Sequence, residues 1–110
     1  MSKLQYPNNL ISLLCKNYQN ENNIKGIKPN EHIFSHVDEL NKSMECLSEK
    51  EATIIKLAFV DGKTVEKIGS RYGWNFGVTR MQINTILHKI LETGGFSTVV
   101  KSCIEDNDNK

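Results

Sequence analysis

Apolar residues recur along this chain at helical spacing, and the breaks between runs carry helix caps and glycine stops. The first run places Leu10, Ile11, Leu14, Cys15 and Tyr18 on one face, with Asn8 or Asn9 after Pro7 able to cap its start. Polar Asn20-Glu21-Asn22-Asn23 follows and continues through Gly26 to Pro29, which reads as a loop or flexible linker. Asn30 offers a second cap, after which Ile33, Val37, Leu40, Met44 and Leu47 repeat at spacings of four and three, a helix with one apolar stripe. That stripe suits packing on the downstream helices. A coiled-coil dimer seam uses the same spacing, but two heptads are too few to select it.

Punctuation sharpens from Leu47 onward. Ser48-Glu49-Lys50-Glu51 is a capping box, in which the Ser48 hydroxyl accepts from the Glu51 amide and the Glu51 carboxylate reaches back to the Ser48 amide. Ile54, Ile55, Ala58 and Phe59 form the buried face of this helix, and Asp61-Gly62 stops it. Thr64 caps a short helix that turns Val65, Ile68 and Tyr72 inward and ends at Gly73. Asn75 caps the last long helix, which runs to about Glu92 with Thr79, Ile83, Ile86 and Ile90 on one face and Leu87 widening it. Gly94-Gly95 is a firm stop. Beyond it, Thr98-Val99-Val100 is compatible with a further helical turn, a strand added to a partner or a packed tail, and Glu105 to Lys110 is polar and expected to fray.

The two helices after Thr64 have the length and punctuation of a helix-turn-helix, a motif that holds one helix out to enter a DNA major groove. Its helices cross closely, so the position after the first buried residue of the leading helix has to be small. Gly69 follows Ile68 there; Tyr72 is the next core position, Gly73 makes the turn and Trp74 plugs the underside. Core, small, core, glycine and core fall in register. A plain helical hairpin shows some of these features, but the full combination favours a DNA reader.

Composition narrows the setting. The chain of 110 residues is long enough for one compact domain and not for two with separate cores. At 38% hydrophobic and 25% charged, it has a modest core and a polar surface. A net charge of +1 supplies no broad basic field, so affinity for nucleic acid has to come from local placement of charge or from a partner. Cys15, Cys46 and Cys103 are too widely and irregularly spaced for a zinc pair or a disulfide framework, and a reducing cytoplasm is the simplest location. The run Leu10 to Cys15 is broken by Ser12 and too short for a signal peptide core or a membrane span.

The run from Leu47 to Leu91 resembles region 4 of bacterial sigma factors and the related carboxy-terminal domains of LuxR-type regulators. The residues that carry the likeness are Leu47-Ser48 with Glu51, the aliphatic stretch Ile54-Ile55 to Phe59, the Asp61-Gly62 turn and Thr64-Val65-Glu66-Lys67-Ile68-Gly69. Tyr72-Gly73 and Leu87-His88-Lys89-Ile90 complete it. The resemblance implies a small helical domain that recognises a promoter element or nearby operator and can touch RNA polymerase. It also implies that the helix beginning at Asn75 does the reading. Sigma-like domains carry arginine, glutamate and glutamine at the start of that helix, whereas this chain has Asn75-Phe76-Gly77-Val78-Thr79-Arg80-Met81-Gln82.

The candidate readers on that helix are therefore few. Arg80 suits guanine or a phosphate, Gln82 suits adenine, and Phe76 suits a thymine methyl or the core. Asn84 and His88 lie further along the outward face, where backbone contact is commoner. Thr64 and Asn75 stand at the two helix starts, and Lys63, Lys67 and Arg71, with Lys89, are the residues that can grip phosphates. Seven Lys or Arg face five acidic residues between Leu47 and Glu92, so the local excess is small and weak monomeric binding is expected. Dimerisation or attachment to polymerase raises the effective concentration on DNA.

Other chemistry finds little support. His32 and His36 sit four apart with Glu31, Asp38 and Glu39 nearby, a spacing that can hold a metal, but Ile33 stands where a metalloprotease needs glutamate, so surface histidines are expected. Cys46 reads as a small core residue. No phosphate-binding glycine loop or Ser-His-Asp arrangement appears, so neither catalysis nor a cofactor is expected. The expected fold is all-α: a helical amino-terminal extension over 1–46, a helix-turn-helix domain over 47–95 and a tail over 96–110. The expected function is transcription regulation through double-stranded promoter DNA, with RNA polymerase and a second copy of the chain as further partners. A stand-alone regulator, a phage or mobile-element protein and one piece of a split factor all fit. The alternative is an interaction module that keeps the shape, binds polymerase, a sigma factor or another regulator, and no longer binds DNA.

Overall fold

The computed structural model describes residues 7–24 and 28–108. The loop position Gly26 and the last two tail residues lie outside the described residues. All secondary structure in the described part is helical, as the apolar spacing predicts.

The first helix, α1 (Asn8–Glu21), buries Leu10, Ile11, Leu14, Cys15 and Tyr18, the face read from the sequence. Its start differs in one respect. Pro7 occupies the cap position and no asparagine side chain caps the helix; the Pro7 carbonyl accepts from the Ile11 amide at 2.9 Å. Proline has no backbone N–H to leave unsatisfied and a fixed φ, so it starts a helix without side-chain help.

The second predicted helix is broken into pieces. Asn30 does cap it, accepting from the His32 amide at 3.0 Å, but residues Glu31–Ser35 form a 3₁₀ segment. The chain kinks at His36, α2 spans Val37–Ser43, and Met44–Cys46 is again 3₁₀. The Ser35 hydroxyl donates to the His32 carbonyl at 2.7 Å, offering the backbone a local alternative to the α-helical ladder. Ile33 and Leu40 still bury in the protein's own core, while Val37, Met44 and Leu47 are half-buried.

The Ser48 capping box is present as read: the Ser48 amide donates to Glu51 at 2.8 Å and the Glu51 amide to the Ser48 hydroxyl at 3.2 Å. It opens α3 (Glu49–Ile55), which passes into a wider π-helical turn over Lys56–Val60. That turn rotates the last apolar residues out of register, so Ile54 and Ile55 are buried whereas Ala58 and Phe59 are only half-buried.

Helix α4 (Val65–Tyr72) and helix α5 (Phe76–Glu92) start at the predicted caps. Thr64 accepts from the Lys67 amide at 3.2 Å and Asn75 from the Val78 amide at 2.8 Å. Gly73 ends α4 at φ +73°, the left-handed conformation. Thr79, Ile83, Ile86, Leu87, Ile90 and Leu91 of α5 are buried.

The tail resolves into a full helix, α6 (Phe96–Asp108). Phe96, Val100, Cys103 and Ile104 recur at helical spacing and are buried, so packing decides against the local β preference of Thr98-Val99-Val100. One apolar cluster joins residues of α1, α3, α4, α5 and α6 with Ile33 and Leu40. Cys15 lies within it; burial, with Cys103 adding, pushes its thiol up to about 12, so it packs as a small apolar group. Cys46 is half-buried rather than core, and its Sγ–H donates to the Ser43 carbonyl at 3.1 Å. Among the described residues, no helix is long and apolar enough to cross a membrane.

Candidate nucleic-acid interface

The α4–α5 crossing depends on Gly69. A Cβ there would lie 2.6 Å from Thr79 Oγ1 and 2.7 Å from the Trp74 carbonyl oxygen, closer than carbon atoms sit. Thr79 itself is buried, with its hydroxyl donating to the Asn75 carbonyl at 2.8 Å. Tyr72 and Trp74 complete the turn differently from the simple core plug read in the sequence. Both are half-buried, and their rings stack at 4.8 Å while Lys50 of α3 lies 4.8 Å from the Trp74 ring centre and 5.4 Å from that of Tyr72. The turn lies at the surface, so a flat aromatic pair and a cation cover the crossing from solvent.

With its apolar stripe buried, α5 turns the opposite side outward. Gly77, Arg80, Met81, Asn84, Thr85 and His88 line an open groove of about 810 Å³, which Glu21 of α1 closes on one side. The Arg80 guanidinium lies 5.7 Å from the Phe76 ring centre, and Phe76 and Met81 are 50% and 58% exposed. A neighbouring depression of about 360 Å³ brings Lys63, Phe76, Arg80 and Asn84 together over Leu13, Phe59 and Ile83. Lys63, Lys67 and Arg71 share a third hollow with Leu57 and Ile68. Exposed cations therefore follow one another from the α4 side, through Lys63, onto the α5 face at Arg80.

The remaining candidate residues are not among the side chains that line these hollows. Thr64 and Asn75 are exposed but engaged as caps. Gln82 is half-buried and lies two residues from Arg80, about 200° further round the helix, so it does not share the groove. Lys89 is bound to Glu51 at 2.9 Å and ties the end of α5 to the start of α3. The Ser48 amide, then Lys89, hold the Glu51 carboxyl below its usual range.

His88 has a partner that sequence reading missed. Both carboxylate oxygens of Glu21 lie 3.0 Å from its Nδ1, whose proton they accept. That hydrogen bond and the carboxylate charge raise the His88 pKa, with a smaller contribution from Glu92. Glu21 and His88 are 67 residues apart, and no local signal links them. His32 and His36 meet edge to face at 5.0 Å, and His36 pairs with Glu39 at 3.1 Å. Among the described residues, no three His, Cys, Asp or Glu side chains gather as metal ligands.

Residues 43–93 match the family described as Sigma-70, region 4. The match runs from the end of α2 through α5 and contains both the Gly69 crossing and the outward face of α5. No solved structure matches the chain significantly.

Proposed function

From residues 43–93 being a sigma region 4-like helix-turn-helix domain, we propose that the protein is a transcription regulator that binds promoter DNA by laying α5 in the major groove. The observation that supports this best is the run of exposed cations, Arg71, Lys67 and Lys63, leading onto Arg80, Asn84 and His88. Arg80 bonds guanine or a phosphate, and Asn84 suits the adenine edge. Lys63, Lys67 and Arg71 grip phosphates and set the register, with the Thr64 and Asn75 helix starts beside them. Phe76 packs under Arg80 and offers its exposed edge to a thymine methyl. With a net charge of +1, binding is weak and falls steeply with salt.

The test is titration of a labelled promoter duplex at low and moderate salt, repeated with Arg80→Ala. Loss of a base contact costs about 1–3 kcal/mol, roughly fivefold to 150-fold in affinity. Absence of salt-dependent binding at micromolar protein sinks the DNA reading; equal binding by Arg80→Ala rejects this face of α5.

Exposed Phe76 and Met81 support a second reading, in which the same face docks a protein. Sigma region 4 domains bind RNA polymerase as well as DNA, so polymerase is the first partner to test. Co-purification of polymerase from the native cell, retained by Arg80→Ala and lost in Met81→Lys, supports it. Failure to co-purify with polymerase, a sigma factor or another regulator rejects it.

A further inference from the structure

Helix α1 precedes the sigma region 4-like segment, yet it borders the outward face of α5. Leu13 lines the depression with Phe76, Arg80 and Asn84, and Glu21 reaches His88 further along. The two contacts advance together, so α1 and α5 run side by side in the same sense. A helix with its side chains is roughly 10–12 Å across and the major groove is about 12 Å wide, so one helix fills it. When α5 enters, the flank of α1 meets the phosphates at the rim.

That flank ends in negative charge. Glu21 is the last residue of α1, the last turn carries no basic residue, and the helix C-terminus adds the negative end of its dipole. Carboxylate and phosphate oxygens accept the same charge-assisted hydrogen bond from an imidazolium. We propose that Glu21 stands in for a DNA phosphate: it holds the His88 N–H that a backbone phosphate would accept, and so restrains the affinity of the reading face. The inference rests on the DNA-binding function proposed above. Among the described residues, the other charged groups around His88 are Glu92, on α5 itself, and Arg80, which shares the groove; Asn84 and Thr85 are neutral. DNA docking therefore exchanges one anion for another on His88, and releases a carboxylate beside the backbone.

Glu21 is 35% exposed and His88 57%, so both tolerate substitution without disturbing the core. The experiment compares wild type, Glu21→Gln, His88→Gln and the double variant. Fluorescence anisotropy with a labelled duplex follows binding at pH 6 over a range of salt concentrations. Glu21→Gln is expected to bind roughly threefold to fivefold tighter than wild type, the scale of one exposed ion pair gained. The slope of log affinity against log salt steepens by about 0.9, one more phosphate contact. Adding His88→Gln removes both gains. Equal or weaker binding by Glu21→Gln overturns the proposal, as does the same gain in the His88→Gln background, which would mean general repulsion. Wild-type binding without a gain in Glu21→Gln defeats this inference alone. No binding by any of the four defeats the DNA reading and this inference together.

Discussion

Replacing Gly69 by alanine tests whether α4 and α5 touch as closely as described. Ordinarily a Gly→Ala change inside a helix stabilises by about 0.5–1 kcal/mol, because alanine loses less backbone entropy. Here the added Cβ meets Thr79 Oγ1 at 2.6 Å and the Trp74 carbonyl oxygen at 2.7 Å. Contact at roughly 3.4 Å or beyond is needed, so the helices have to separate by about 0.7–0.8 Å. The Trp74 carbonyl is backbone, and Thr79 is held by its bond to Asn75, so neither can swing aside. Overpacking of a buried site costs about 1–3 kcal/mol, and the propensity gain offsets part of it. The net expectation is destabilisation by about 1–2 kcal/mol.

Gly77→Ala is the matched control. It lies on the exposed side of α5, where an added Cβ meets only Asn75 Oδ1, at 3.7 Å. That variant should be neutral or stabilised by up to about 1 kcal/mol. Urea unfolding followed by Trp74 fluorescence reads both, because Trp74 is the one tryptophan and stacks on Tyr72 at the crossing. If Gly69→Ala matches or exceeds wild-type stability, the close crossing is refuted. If both glycines respond alike, propensity rather than packing governs the site.

Three further outcomes follow from the same structure. Ser48→Ala removes the hydroxyl half of the capping box and should destabilise by about 1 kcal/mol in the same urea assay; no loss would mean that α3 is held by packing alone. Because the folded His88 has a raised pKa, the Glu21–His88 pair stabilises fully below the ordinary histidine value of 6.5 and is lost as pH rises through the folded value. The stability difference between wild type and Glu21→Gln should therefore shrink from acid toward alkaline pH, and a difference that is flat or grows is evidence against the pair. Phe96→Ala empties a fully buried site and should cost about 3–5 kcal/mol, seen as lost cooperativity or a lower midpoint in circular dichroism; a tail that only drapes over the surface would show almost no change.

Much of this fold was legible locally. The Ser48 box, the Thr64 and Asn75 caps and the left-handed Gly73 each join residues three or four positions apart, so their chemistry is contained in a short window. The buried stripe of α5 was readable for the same reason: its residues share one face whatever packs on it. The break at His36 and the π-helical turn after Ile55 were not readable, because a uniform apolar spacing does not reveal where the backbone must bend to reach a common core. The helical state of the tail is not decided locally either, since Thr98-Val99-Val100 prefers strand until Phe96, Val100, Cys103 and Ile104 find a core to enter.

The candidate interface divides along the same line. Sequence by itself determined that a helix-turn-helix scaffold forms and that Arg80 lies on the side of α5 away from its apolar stripe, because helix periodicity sets which residues share a face. Only tertiary packing decided which side chains meet there. It brought Lys63 beside Arg80, left Gln82 outside the groove, bound Lys89 to Glu51 and set Glu21 against His88. Contacts such as the last, between residues 67 positions apart, arise from the shape of the shared core, and no short stretch of sequence contains that shape.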